Sequence, residues 1–80
     1  MEQVIRAIDI VAEIGRATGG RTFVRVVHEP TKCSRRVTGL GARSPKDVIA
    51  ELVTCVVREL QNLGWIHESE VEARGTNTQG

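Results

Sequence analysis

Between Glu2 and Ala17 the apolar residues Val4, Ile5, Ala7, Ile8, Ile10, Val11, Ala12, Ile14 and Ala17 recur at helical spacing, and Arg6, Asp9, Glu13 and Arg16 share the opposite stripe. The pattern predicts a first helix. Gly19 and Gly20 would end it, because glycine takes the left-handed backbone conformation of a closing turn without steric cost. Arg21 to Glu29 is rich in β-branched residues and predicts a strand, with Val24 and Val26 on one face and Phe23, Arg25 and Val27 on the other. Pro30 interrupts any ladder there, and a second strand is expected over Lys32 to Leu40, joined to the first by a short hairpin turn.

The best-marked element follows the loop Gly39 to Arg43. Ser44 is a strong N-cap, Pro45 suits the first helical position, and Asp47 complements the positive end of the helix dipole. Ile49, Leu52, Val53, Val56, Val57, Leu60 and Leu63 then predict a helix that stops at Gly64. Beyond it, Trp65 to Val71 alternates and reads either as a third strand or as an acidic tail. These elements describe an α+β domain of order α-β-β-α(-β), with both helices packed on one face of an antiparallel hairpin sheet. The domain is expected over residues 1–72, with a polar tail over 73–80.

The apolar arc of the second helix covers roughly half its circumference once Val48 and Cys55 are counted, wider than the stripe of about 100° that one sheet face requires. A hairpin alone is also marginal, since independent stability takes three or more strands. A second copy of the chain would cover the surplus and extend the sheet, which makes a homodimer the expectation, with Val53, Val57 and Leu60 at its interface.

Eighty residues hold one core, and 40% hydrophobic with 26% charged residues is ordinary globular composition, which argues against disorder. No run approaches the roughly 20 apolar residues of a membrane span, and the first residues show neither the basic start nor the unbroken apolar stretch of a signal peptide, so a cytoplasmic location is expected. Cys33 and Cys55 are too few for a disulfide framework and read as free thiols.

Charge changes the picture, because a net +1 conceals a segregated distribution. Between Arg21 and Lys46 seven basic residues face Glu29 alone, a local balance of +6, whereas four basic and nine acidic side chains elsewhere leave −5. Arg25, Arg35, Arg36, Arg43 and Lys46 are therefore the candidate partner-binding residues. Three readings are open: internal pairing of Arg35 and Arg36 with Glu68, Glu70 and Glu72, an acidic protein surface, or nucleic acid.

The segment Gly39, Leu40, Gly41, Ala42, Arg43, Ser44, Pro45, Lys46 and the apolar helix after it resemble the loop and helix start of double-stranded RNA-binding domains. That resemblance implies phosphate contact at a basic helix N-terminus. Pro45 and Asp47 stand where that family places lysines, and two expected strands precede the helix in place of three. One Phe, one Trp and no Tyr argue against a base-stacking platform.

His28, Cys33, Cys55 and His67 lack the close spacing of a structural zinc site, so no metal is expected. His28 and Cys33 flank the hairpin turn, but a reactive thiolate also needs a cleft and an orienting group. Asp47, Glu51 and the Glu68, Glu70, Glu72 run read as solvated faces, and the glycines match neither a Walker loop nor a dinucleotide fingerprint. The expected function is a non-enzymatic binding or regulatory module, without cofactor, that contacts a protein through its basic hairpin. Nucleic acid is the alternative ligand.

Overall fold

The computed structural model describes residues 3–71. The chain runs as β1 (Val4–Ile5), a 3-10 turn (Ala7–Asp9), β2 (Ile10–Arg16), β3 (Thr22–His28), β4 (Cys33–Thr38), α1 (Pro45–Asn62) and β5 (Ile66–His67). β2, β3 and β4 form a three-stranded antiparallel sheet with β3 in the centre, and β1 pairs with β5 in a short parallel ladder. The domain is α+β, as its pattern predicts.

The first helix does not form. Ile10, Ala12 and Ile14 satisfy a period of two as well as a helical one, and the segment is dense in β-branched side chains that fit a pleated surface better than a helix. β3 is the deciding neighbour. Its Val24, Val26, Val27 and His28 are buried, which suits a central strand flanked on both sides, and β2 supplies the second flank by pairing from Ile10↔His28 to Arg16↔Thr22. Gly19 (φ 89) and Gly20 (φ 77) do take the left-handed conformation, but they close a hairpin in which the Ala17 N–H donates to the Arg21 carbonyl at 2.7 Å. Three antiparallel strands, and not two, therefore precede α1.

The β3–β4 hairpin lies within the expected bounds and turns through Glu29 to Lys32, with Lys32 at φ 62. α1 also begins as read. Ser44 Oγ accepts the Asp47 N–H at 3.2 Å, satisfying one of the donors that a helix start leaves unpaired. At its other end Gly64 (φ 98) donates to Gln61 and Trp65 donates to Leu60, each at 3.0 Å, the paired bonds of a Schellman closure.

Of the stretch from Trp65 to Val71, only Ile66–His67 is extended. His67 Nδ1 accepts the Ser69 N–H at 3.2 Å, a side-chain cap that turns residues 68–71 into helix. The polar tail 73–80 lies outside the described residues.

α1 lies over β3 and β4 and barely reaches β2. Its Val48, Leu52, Val56 and Leu60, one stripe at four-residue spacing, meet Ile5, Val24 and Val26 in the core, and Trp65 closes one end. Leu60 is fully buried in this core and is not available to a dimer interface, contrary to the sequence reading; Val53 and Val57 are only half-buried. His28 is the one buried polar side chain among the described residues. Its Nδ1 meets Thr31 Oγ1 at 2.8 Å, its ring stands edge-on to Trp65 at 5.1 Å, and its Nε2 has no partner among the described residues.

Candidate functional site

Among the described residues, α1 covers one face of the sheet and no other element packs on the opposite face. Antiparallel register sets its side chains in three rows: Val11, Val27 and Ser34; Glu13, Arg25 and Arg36; and Gly15, Phe23 and Thr38. The alternation of side chains along each strand produces this arrangement, since every second residue points away from the helix.

The Gly15 row is built by close approach. A Cβ at Gly15 would lie 2.7 Å from Cε1 of Phe23, so the absence of a side chain lets the ring lie against the neighbouring strand. On the far side, the Arg36 guanidinium carbon sits 4.3 Å from the Phe23 ring centroid, a cation–π contact. In the middle row Arg25 and Arg36 stand directly opposite each other, a like-charge pairing that costs stability. Glu13 Oε2, 3.9 Å from Arg25, and the Phe23 ring beneath Arg36 relieve it in part. The Arg25–Glu13 pair is exposed and contributes about 0–1 kcal/mol.

The five residues read from the sequence as one basic surface divide among three places. Arg25 and Arg36 share the bare face. Arg35 pairs with Val26, so it points to the helix face, where its guanidinium meets Glu59 at 2.7 Å. Arg43 reaches across the first turns of α1 to Glu51 at 2.5 Å. Lys46 is exposed in the first turn of α1 and makes no ion pair among the described residues.

The first of the three open readings, pairing of Arg35 and Arg36 with the C-terminal glutamates, is not seen among the described residues. Glu68 accepts the Ala7 N–H, Glu70 is 3.4 Å from the Gln61 amide nitrogen, and Glu72 lies outside the described residues. Sequence reasoning had already grouped Phe23 with Arg25, but it missed Gly15 and Glu13 because it assigned them to a helix.

Cys33 pairs directly with His28 on the helix face. Burial pushes the Cys33 thiol up, with the Glu59 carboxylate adding to the effect, the opposite of an activated nucleophile. Cys55 is exposed on α1, beside a shallow hollow bordered by Arg35, Arg58, Glu59 and Asn62. At the hairpin turn, a hydrogen bond from Lys32 holds the Glu29 carboxyl below its usual value. Among the described residues no helix is long and apolar enough to cross a membrane.

Comparison with protein-family models, with curated proteins and with solved structures gives no match.

Proposed function

We propose that the chain is a small non-enzymatic binding or regulatory module, accessory or inhibitory in kind, which works in the cytoplasm without a cofactor. It acts by protein–protein contact as a homodimer whose sheet is extended by the second copy. The contact surface is the bare sheet face, with Arg25, Arg36 and Phe23 at its centre, and the partner is an acidic protein surface. One observation carries the reading: two arginines stand side by side on a sheet face that no described element covers, one of them stacked on an aromatic ring and free of any carboxylate among the described residues. Arginine and aromatic side chains are the anchors that protein interfaces favour.

The test is capture from nuclease-treated native extract, using wild type, an Arg25→Glu/Arg36→Glu variant and Arg43→Ala. The reading expects one nuclease-resistant species that the double charge reversal abolishes and Arg43→Ala retains. Recovery indifferent to the double reversal would refute the choice of surface.

Nucleic acid is the second reading, favoured by the same stacked guanidinium and by Lys46 at the capped start of α1. It requires affinity that falls linearly in log–log form with salt, with a slope reduced when Arg36 or Lys46 is neutralised. Binding to duplex or single-stranded nucleic acid with no such slope would dismiss it.

A further inference from the structure

Among the described residues the sheet has two unpaired edges of different character. β4 carries adjacent Arg35 and Arg36, and pairing two such strands would set arginines against arginines, the kind of charge that guards an edge from association. β2 carries Ile10, Val11, Ala12 and Ile14. Three of the four strongly exposed large hydrophobics among the described residues lie on it or just before it: Ile8 (79% exposed), Val11 (44%) and Ile14 (54%).

The backbone shows which residues this edge offers. The Asp9 carbonyl accepts from the Glu29 N–H at 2.9 Å and the Ala17 N–H donates to Arg21, so the odd-numbered residues at both ends of β2 address β3. An antiparallel ladder alternates, so Val11, Glu13 and Gly15 also face β3, whereas Ile10, Ala12, Ile14 and Arg16 turn their backbone groups outward. The Ile10 N–H is taken by the Ala7 carbonyl. The same even-numbered side chains lie on the helix face, in the strip that α1 leaves open. Glu59 leans toward β4 through Arg35, so the opposite flank of α1, with Ile49, Val53 and Val57, borders this strip.

We propose that β2 pairs antiparallel with β2 of a second copy about a twofold axis at Ala12, making one continuous sheet from two chains. A twofold axis normal to the sheet matches only residues of equal parity, and three centres keep five or more of the seven β2 residues paired. Centring on Glu13 sets the two Glu13 carboxylates opposite each other and Ile10 against Arg16. Centring on Ile14 sets Ala12 against Arg16. Centring on Ala12 flanks a small residue at the axis with two Ile10–Ile14 pairs, apolar on apolar, and puts Glu13 opposite Val11. In that register the Ala12 pair exchanges both its bonds, and each Ile14 N–H reaches the Ile10 carbonyl of the other copy. α1 of each chain stays over β3 and β4, so the seam is small and the dimer is of micromolar strength.

This inference rests on the homodimer part of the proposed function and is independent of what the bare face binds. Sedimentation equilibrium over about 1–500 µM is expected to show a monomer–dimer equilibrium with a micromolar constant. Ile14→Lys, which puts a charge on the edge, should weaken it at least tenfold while far-UV circular dichroism and melting stay unchanged. Ala12→Pro removes an N–H that bonds to nothing among the described residues and should do the same; if it unfolds the protein, Ile14→Lys still decides.

To locate the axis, Ala12→Cys in a Cys33→Ala/Cys55→Ser background is expected to give a linked dimer on mild oxidation faster than Glu13→Cys or Ile14→Cys. A hydrogen-bonded pair has Cα atoms about 5.5 Å apart, within disulfide reach. A monomer at every concentration overturns both the seam and the homodimer reading. A dimer that ignores Ile14→Lys, or that links best through Glu13→Cys or Ile14→Cys, overturns the seam alone.

Discussion

Truncating Leu60 to Ala removes buried atoms from a position with no exposed surface, at the end of α1 where its carbonyl accepts the N–H groups of both Leu63 and Trp65. Leu→Ala changes in a core cost about 2–5 kcal/mol, the spread reflecting how far the cavity collapses. A domain of this size has one small core, and such cores supply roughly 3–5 kcal/mol, so Leu60→Ala should remove most of the stability. Val53→Ala makes the contrast. Val53 is half-buried and helical, so its lost contacts are offset in part by the higher helix propensity of Ala, worth roughly 0.5 kcal/mol, and the net effect stays below about 1 kcal/mol. Urea unfolding followed by the fluorescence of Trp65, the only tryptophan, reads the difference. With a slope near 1 kcal/mol per molar urea, the two midpoints should lie about 2 M apart. The experiment is run dilute and at two protein concentrations. A Leu60→Ala midpoint within about 0.5 M of wild type, or a loss of stability that vanishes on dilution, would refute the assignment of Leu60 to the core and return it to an interface.

Further expectations follow from single contacts. Gly15→Ala forces the Phe23 ring off its present site and should lower stability by about 1 kcal/mol, near 6 °C in Tm for 80 residues, and should be less than additive with Phe23→Ala; strict additivity would mean that the two do not touch. At neutral pH Cys55 should react promptly with a disulfide reagent and Cys33 slowly, because burial raises the Cys33 thiol and shields it; equal rates in the folded state would contradict the burial. Lys32→Gln should move the Glu29 titration, followed by NMR, up toward the ordinary carboxylate value of 4.5. Because the folded carboxyl titrates below its unfolded value, whatever stability this contact contributes is present above the ordinary carboxylate range and is lost as pH falls through the folded titration. An unmoved midpoint would show that Lys32 does not engage Glu29 in solution.

Local chemistry determined much of this domain. α1 is legible because its start and stop are made by neighbours in the chain: Ser44, Pro45 and Asp47 at one end, Gly64 at the other. The β3–β4 hairpin is legible for the same reason, and the period of two placed Phe23 and Arg25 on one face before any neighbour was known.

What the tertiary structure alone decided are the features that depend on a distant partner. Residues 10–16 fit both periods, and Gly19 and Gly20 suit a helix end and a hairpin equally, so pairing with β3 settled the choice. The wide apolar arc of α1 contained Val53 and Leu60 alike, and the direction from which the sheet meets the helix buried one and left the other half-open. The basic residues were visible as a run, but strand register and the approach of α1 assigned Arg35 to Glu59, 24 positions away, and left Arg36 on Phe23. Hydrophobic pattern and capping act over a turn or two of chain, whereas ladder hydrogen bonds and ion pairs form between segments that only the fold brings together.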